Sequence, residues 1–354
     1  MPSGGIFLPA LPKIVETIHG AGPAILGRVS ISRGYVVTVI VVAVVYYGAA
    51  LLGLRLALVS GQVSPLWPPT GIALAALLLK GPHIWPAILL GALAANVTLG
   101  PSTFALLIII VGNTIAPVTA YFLLKAVRFD NDLNRLRDVL ALVFLGAFTG
   151  MLVSSSLGTL ALAVAHDQGS STLATWSVWW TGDAMGVLTV TPLLLVARRI
   201  RFPFRVRPAR VAEASALFLG TAGVGVFVAN TSATLLFLVF PFLIWAALRF
   251  QQAGAIPCAL TVSTIAIIAA SHNSGPFGDT SLTVKMIVLQ AFNGCVVLTA
   301  LVHAAVTAGR NRAQRDVEDA CALLADAVNA LDRGKPLQGQ LLHAVERARR
   351  PPRS

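Results

Sequence analysis

The sequence predicts an all-α protein, a polytopic bundle of about ten membrane-spanning helices, and three observations lead to this fold. The 354 residues are 56% hydrophobic and only 11% charged, whereas soluble domains are about 45–50% apolar and about 25% charged. The mean hydropathy of the chain is +0.80. The apolar residues form long runs, and a spanning helix needs about 20 of them. These features exclude an ordinary soluble globular protein, a disordered protein and a fibrous one.

Polar or turn-forming residues divide the apolar sequence into ten segments, and each is predicted to be a helix because lipid offers no partners for backbone groups. Segment 70–80 is short, so it is a full span, a half-helix or one arm of a broken hairpin with the segment that follows. The chain therefore has about 8–10 spans. The ten segments are 34–59, 70–80, 84–100, 104–124, 138–164, 178–197, 211–229, 233–249, 254–270 and 283–308.

The positions of Lys and Arg predict the orientation of the chain. With a cytoplasmic N-terminus, all but two of the 26 Lys and Arg residues fall on the cytoplasmic side, and the densest basic stretch is 198–210. The exceptions, Arg55 and Lys285, lie in spans near their outer ends. The net charge of +12 is more typical of anchoring at membrane lipid than of nucleic-acid binding. We therefore expect a multi-pass protein of the bacterial inner membrane with both termini in the cytoplasm and no nucleic-acid partner.

Three regions follow from this topology: a cytoplasmic N-terminal segment at 1–33, an integral membrane domain at 34–308 and a cytoplasmic tail at 309–354. The N-terminal segment does not resemble a cleavable signal peptide. The tail is predicted to be an amphipathic helix, and it carries a seam that suits either a homodimeric coiled coil of about two heptads or an ordinary amphipathic surface. The seam consists of Val317, Cys321, Leu324, Val328 and Leu331.

Several polar and aromatic residues interrupt the apolar segments. Asp183 lies in W-W-T-G-D-A-M-G, where Trp180 also stands, and an intramembrane carboxylate serves either an ion pair or a ligand or proton role. Asn113 in G-N-T is either a hydrogen-bonding link between helices or part of a site. Trp67 fits an interfacial anchor beside a helix cap, and Asn96 ends the third segment.

The depths of these residues predict that they converge. At about 1.5 Å of rise per residue, Arg55 and Asp183 each lie within roughly 8 Å of the outer boundary. Trp67, Asn96 and Lys285 lie at similar depths. We expect an outward-facing pocket in the outer leaflet, in which Arg55 or Lys285 pairs with Asp183.

Two pairs of glycines, each four residues apart, predict close packing between helices. They are Gly146 with Gly150 in the fifth segment and Gly182 with Gly186 in the sixth. The sequence shows no enzyme chemistry, because no phosphate-binding loop, catalytic constellation or metal-ligand spacing is present. No cofactor or metal is expected.

Eight motifs in one order resemble the membrane-associated sensor domains of bacterial signalling proteins, the first type of the MASE class. The resemblance covers roughly residues 34–312. In chain order the motifs are S-P-L-W-P-P-T-G-I-A-L-A, W-P-A-I-L-L-G-A-L-A-A-N, G-N-T, L-R-D-V-L-A-L-V, W-W-T-G-D-A-M-G-V-L-T-V-T-P-L-L-L, P-F-L-I-W-A-A-L-R-F, G-P-F and L-Q-A-F.

The resemblance implies a sensory input module that usually precedes a histidine kinase or a cyclic-di-GMP synthase or hydrolase domain. No such output domain fits in the residues after the last span, so we expect a stand-alone sensor or a truncated relative. Its partner would be a separate histidine kinase, response regulator or cyclic-di-GMP enzyme reached through the tail. The alternative function is a secondary transporter of a small solute, since intramembrane charge and Pro-interrupted helices also suit that class.

Overall fold

The computed structural model describes residues 32–55, 64–164, 172–198, 208–231, 235–278 and 282–332, and every regular element in these ranges is helical. We number the helices α1 to α10 in chain order. They are Arg33–Leu54, Pro68–Lys80, Trp85–Val97, Thr103–Ala126, Leu136–Val164, Thr172–Ala197, Pro208–Ala229, Phe240–Phe250, Gln252–Ser271 and Leu282–Asp332. Short 3₁₀ turns precede α3 and α8, at Pro82–Ile84 and Leu236–Val239.

The predicted all-α polytopic bundle is confirmed, and each of the ten predicted segments overlaps one described helix. The last helix runs beyond its segment, 283–308, to Asp332. Seven of the described helices are long and apolar enough to cross a membrane. The shorter three are α2, α3 with its leading turn, and α8 with its leading turn. The N-terminal residues 1–31, residues 199–207 of the basic stretch and the tail residues 333–354 lie outside the described part.

Helix α2 forms from the short segment 70–80 that the sequence left open. Pro68 and Pro69 occupy its first two positions, where a backbone N–H has no helical partner and a fixed φ favours the helix. Gly81, with φ of +97°, ends it. Its 13 residues cover about 20 Å at 1.5 Å of rise per residue, which is less than a hydrocarbon core. Most of α2 is buried against α1, α4 and α6, so protein rather than lipid surrounds it.

The closest helix packing in the described chain joins α2 and the residues before it to α6, through three glycines. A Cβ atom at Gly186 would lie 2.0 Å from the carbonyl oxygen of Trp67, and one at Gly182 would lie 2.2 Å from that of Ser64. A Cβ atom at Gly71 would lie 2.1 Å from the carbonyl oxygen of Gly186. The backbones therefore touch directly, and the Trp67 N–H donates to the carbonyl oxygen of Gly182 at 2.9 Å.

Helix α5 contains a feature that the sequence does not predict. Residues Leu142–Thr149 form a π-helix, in which each hydrogen bond spans five residues and the chain is wider than an α-helix. Gly150 ends this stretch, and a Cβ atom there would lie 2.6 Å from the Cβ of Ala120 in α4. Gly146 has looser surroundings, because the nearest atom to its Cβ position is a side-chain carbon of Leu142 at 3.2 Å.

Helix α10 is 51 residues long, and the chain divides into two compact units along it, one ending at Ala305 and the other beginning at Val306. Within the first unit, α10 contributes Leu289, Val296, Ala300 and Ala304 to the core. Within the second unit, the helix exposes apolar residues of the predicted seam: Val317, Leu324 and Val328 are each more than 60% exposed.

The glycine contact predicts a specific overpacking effect. We expect Gly186→Ala to destabilise the protein by about 1–3 kcal/mol, because the added methyl group has no space beside Trp67. Gly223→Ala in α7 is the matched control: it brings the same gain in helix propensity, and no atom lies within 4 Å of its Cβ position. Thermal unfolding of the purified variants in mild detergent measures the difference, and equal midpoints for the two variants would contradict the packing described here.

Candidate functional site

Asp183 is the centre of a buried polar cluster that three helices build. Its side chain is 1% exposed. The hydroxyl of Thr70 in α2 donates to Asp183 Oδ1 at 2.5 Å, and the hydroxyl of Ser154 in α5 donates to Asp183 Oδ2. Each carboxylate oxygen therefore accepts a hydrogen bond from a different neighbouring helix.

The cluster around Asp183 holds no basic side chain among the described residues. The ion pairs of the described residues lie elsewhere, between Arg137 and Asp138, Arg198 and Asp132, and Arg249 and Glu213. The two expected partners of Asp183 are placed differently: Arg55 is exposed at the C-terminal end of α1, and the ammonium group of Lys285 donates to Asn273 Oδ1. The expected ion pair is therefore absent from the described chain.

A small cavity lies beside the carboxylate. Its volume is about 30 Å³, which is enough for one or two water molecules but not for an organic solute. Four residues that the sequence singled out line it together: Trp67, Asn96, Asn113 and Asp183. The other lining residues are Ser64, Leu99, Ile109 and Trp179. The cavity thus draws its wall from four separate stretches of the chain.

The amide groups of Asn96 and Asn113 can form further hydrogen bonds or bind a ligand in the cavity. The Asn96 amide nitrogen donates to the carbonyl oxygen of Ala92 at 2.8 Å, one turn back in its own helix, so its amide oxygen remains open. Asn113 is 8% exposed and makes no side-chain hydrogen bond with the described residues. Buried amides normally find partners, so an unpartnered amide beside an ionisable group indicates space for a small ligand or a water.

Three of the candidate residues do not reach this cavity. Arg55 and Lys285 have the positions given above. The Trp180 indole N–H donates to the carbonyl oxygen of Phe148 at 2.9 Å, and its ring stacks on Trp176 with a centroid distance of 5.8 Å. Its neighbour Trp179 lines the cavity instead.

Thr70, Ser154 and Trp179 belong to the site but were not predicted as site residues. Thr70 directly follows the two prolines, and Ser154 opens the run S-S-S, so both stood in noticeable contexts. A hydroxyl in a membrane helix is usually satisfied by a carbonyl of its own helix, as Thr189 is by Met185 at 2.6 Å. Nothing in the sequence distinguished the two hydroxyls that donate to Asp183 from those that do not.

Helix α10 touches the wall of the cavity. Met286 packs with Val178 and Trp179, and the Gln290 amide nitrogen donates to the carbonyl oxygen of Pro65 at 3.5 Å. Pro65 follows Ser64, and both Ser64 and Trp179 line the cavity. Two residues of α10 therefore contact residues that line the cavity or adjoin its lining.

Comparisons with known proteins agree with the motif order. The model of the MASE1 family matches residues 37–310. The chain is 27% identical over 236 residues to the probable diguanylate cyclase DgcE of Escherichia coli (strain K12), an alignment that covers 63% of this chain and 20% of the relative. The chain thus spans about a fifth of the length of that relative. No solved structure matches the chain.

Removal of one hydroxyl donor tests the cluster. We expect Thr70→Val to destabilise the protein by about 1.5–3 kcal/mol, the range for hydrogen bonds to charged groups, because Asp183 loses a buried donor. Thr189→Val is the control, since that residue is also buried and its hydroxyl donates within its own helix. If thermal unfolding in detergent gave equal losses for both variants, the bond from Thr70 to Asp183 would contribute nothing particular.

Proposed function

This chain belongs to the MASE1 family, and from that premise we propose that it senses a stimulus at the cavity beside Asp183 and relays it through α10 to a signalling partner. The family match and the apolar helices establish a multi-pass membrane sensor domain. We further propose the bacterial inner membrane as its location, with α10 leading into the cytoplasm. Membership of a sensor family favours this function over secondary transport.

The contact of α10 with the cavity wall is the observation that carries the proposal. Trp179 and Pro65 connect the cavity region to Met286 and Gln290, and both of these residues belong to the helix that extends to Asp332. A stimulus shifts such a helix only if it binds one arrangement of the bundle more tightly than the other. Occupancy of the cavity would favour one packing of α10 against Trp179 and the Ser64–Trp67 stretch.

The exposed seam of α10 is the proposed surface for the partner. Val317, Leu324 and Val328 repeat at heptad spacing and face solvent in the described part of the second unit; the side chain of Leu331 lies outside it. Such a seam suits pairing with another helix, from a second copy of this chain or from a signalling enzyme. The name of the Escherichia coli relative, a probable diguanylate cyclase, supports a cyclic-di-GMP enzyme among the candidates. A histidine kinase or a response regulator is the other class that we propose.

Capture of the partner tests the relay. We expect cells that express a tagged chain to yield, after crosslinking and purification in mild detergent, a kinase, response regulator or cyclic-di-GMP enzyme. Leu324→Glu should remove this protein by placing a charge in the seam. Ala322→Glu is the matched control, because Ala322 is exposed and lies well away from the seam on a helix of 3.6 residues per turn.

The enzymatic activity of the captured partner tests the sensing role of the cavity. Asp183→Asn should leave the partner bound but change its enzymatic output, because the variant alters the sensing site and leaves the seam intact. Recovery of the same proteins with Leu324→Glu would overturn the relay through the seam. An unchanged output in Asp183→Asn, in a variant that still inserts and folds, would overturn the sensing role of the cavity.

A further inference from the structure

No basic side chain of the described residues lies against Asp183. Both of its oxygens accept hydrogen bonds from hydroxyl groups. A carboxyl group in a low-dielectric region is either protonated or balanced by a nearby positive charge. Among the described residues Arg55 is exposed and Lys285 is engaged by Asn273. The segments 56–63, 165–171, 232–234 and 279–281, which lie outside the described part, contain no Lys or Arg in the sequence.

We propose that the cavity beside Asp183 binds Na⁺, and that this ion is the stimulus of the function proposed above, on which this inference rests. The lining contains a carboxylate and two amides, and oxygen atoms of these kinds are the ligands of hard cations. The hydroxyl of Ser64, which also lines the cavity, is bonded to the backbone of Leu66. Asn113 has an amide without a partner in the described chain, so its oxygen is available.

Charge and volume select a small monovalent ion. One carboxylate balances one positive charge, and a divalent cation would leave the buried site with a net positive charge. Mg²⁺ also keeps several of its water molecules when it binds to proteins, whereas a volume of about 30 Å³ corresponds to one or two. Within the described ranges no group of three His, Cys, Asp or Glu side chains is placed to hold a transition metal.

Binding at this site would draw the surrounding elements together. Ser64 and Trp67 precede α2, Asn96 lies in α3, Asn113 in α4 and Asp183 in α6. Trp67 and Trp179 form part of the wall, so the fluorescence of these two of the six tryptophans reports directly on the cavity.

A titration of the purified full chain in nanodiscs at fixed pH tests the proposal. NaCl is varied at constant ionic strength against choline chloride, and tryptophan fluorescence and the thermal unfolding midpoint are followed. We expect a saturable fluorescence change and a rise in the midpoint with NaCl alone. Asp183→Asn should abolish both effects. Asn113→Ala should raise the half-saturating Na⁺ concentration about tenfold or more, since contacts with a charged partner are worth about 1.5–3 kcal/mol.

Two controls keep the result interpretable. Glu213→Gln makes the same change from carboxylate to amide in α7, on a residue that pairs with Arg249 and does not line the cavity, and it should titrate like the unmodified chain. Asn113→Ala leaves the Thr70 and Ser154 bonds to Asp183 in place, so it tests the site even if Asp183→Asn does not fold.

The results of the Na⁺ titration and of the partner-output measurement distinguish a failure of the Na⁺ site from a failure of the sensory function. A response that is equal in NaCl and choline chloride, or one that persists in Asp183→Asn, overturns the Na⁺ site. If Na⁺ has no effect but Asp183→Asn changes the output of the partner, the sensory function stands and this ligand is wrong. If Na⁺ binds as expected but the output ignores Asp183, the ion site stands and the sensory function of the cavity fails.

Discussion

The direct backbone packing between the start of α2 and α6 is the constraint on which the rest of the site depends. Gly71, Gly182 and Gly186 have no Cβ atoms, and in each case such an atom would lie within 2.2 Å of a carbonyl oxygen of the opposing segment. This approach allows the Trp67 N–H to bond the carbonyl oxygen of Gly182 and brings Thr70 to Asp183. A larger separation would leave a carboxylate in an apolar interior without a donor from α2, which is costly.

The distribution of basic residues connects the orientation of the protein to the chemistry of its site. Lys and Arg concentrate at the predicted cytoplasmic ends of the helices, where Arg198 pairs with Asp132 and Arg249 with Glu213. The predicted outer half carries Arg55 and Lys285, and neither pairs with Asp183. The charge asymmetry from which we predict the orientation also leaves Asp183 without a basic partner among the described residues.

The sequence predicted the ten apolar segments because the requirement to span lipid sets their length and composition. It also identified Asp183, Trp67, Asn96 and Asn113, which share one cavity, because polar groups in apolar runs are conspicuous.

The expected ion pair with Arg55 or Lys285 was wrong, because depth along a helix does not specify the direction in which a side chain points around it. The direction of a side chain around the helix axis also decides that Trp179 rather than Trp180 lines the cavity, because neighbouring residues in a helix point about 100° apart. The π-helix at Leu142–Thr149 has no sequence signature, and it lies just before Ser154.

The proposed sensing mechanism requires that a change in the cavity beside Asp183 alters the packing of α10. Amide hydrogen exchange, followed by mass spectrometry on the full chain and on Asp183→Asn, measures this most directly, because it reports local opening segment by segment. We expect altered protection both at residues 64–71 and at residues 286–296 of α10, through the contacts of Met286 and Gln290. A change confined to residues 64–71 and the surroundings of Asp183, with α10 protected as before, would contradict this mechanism.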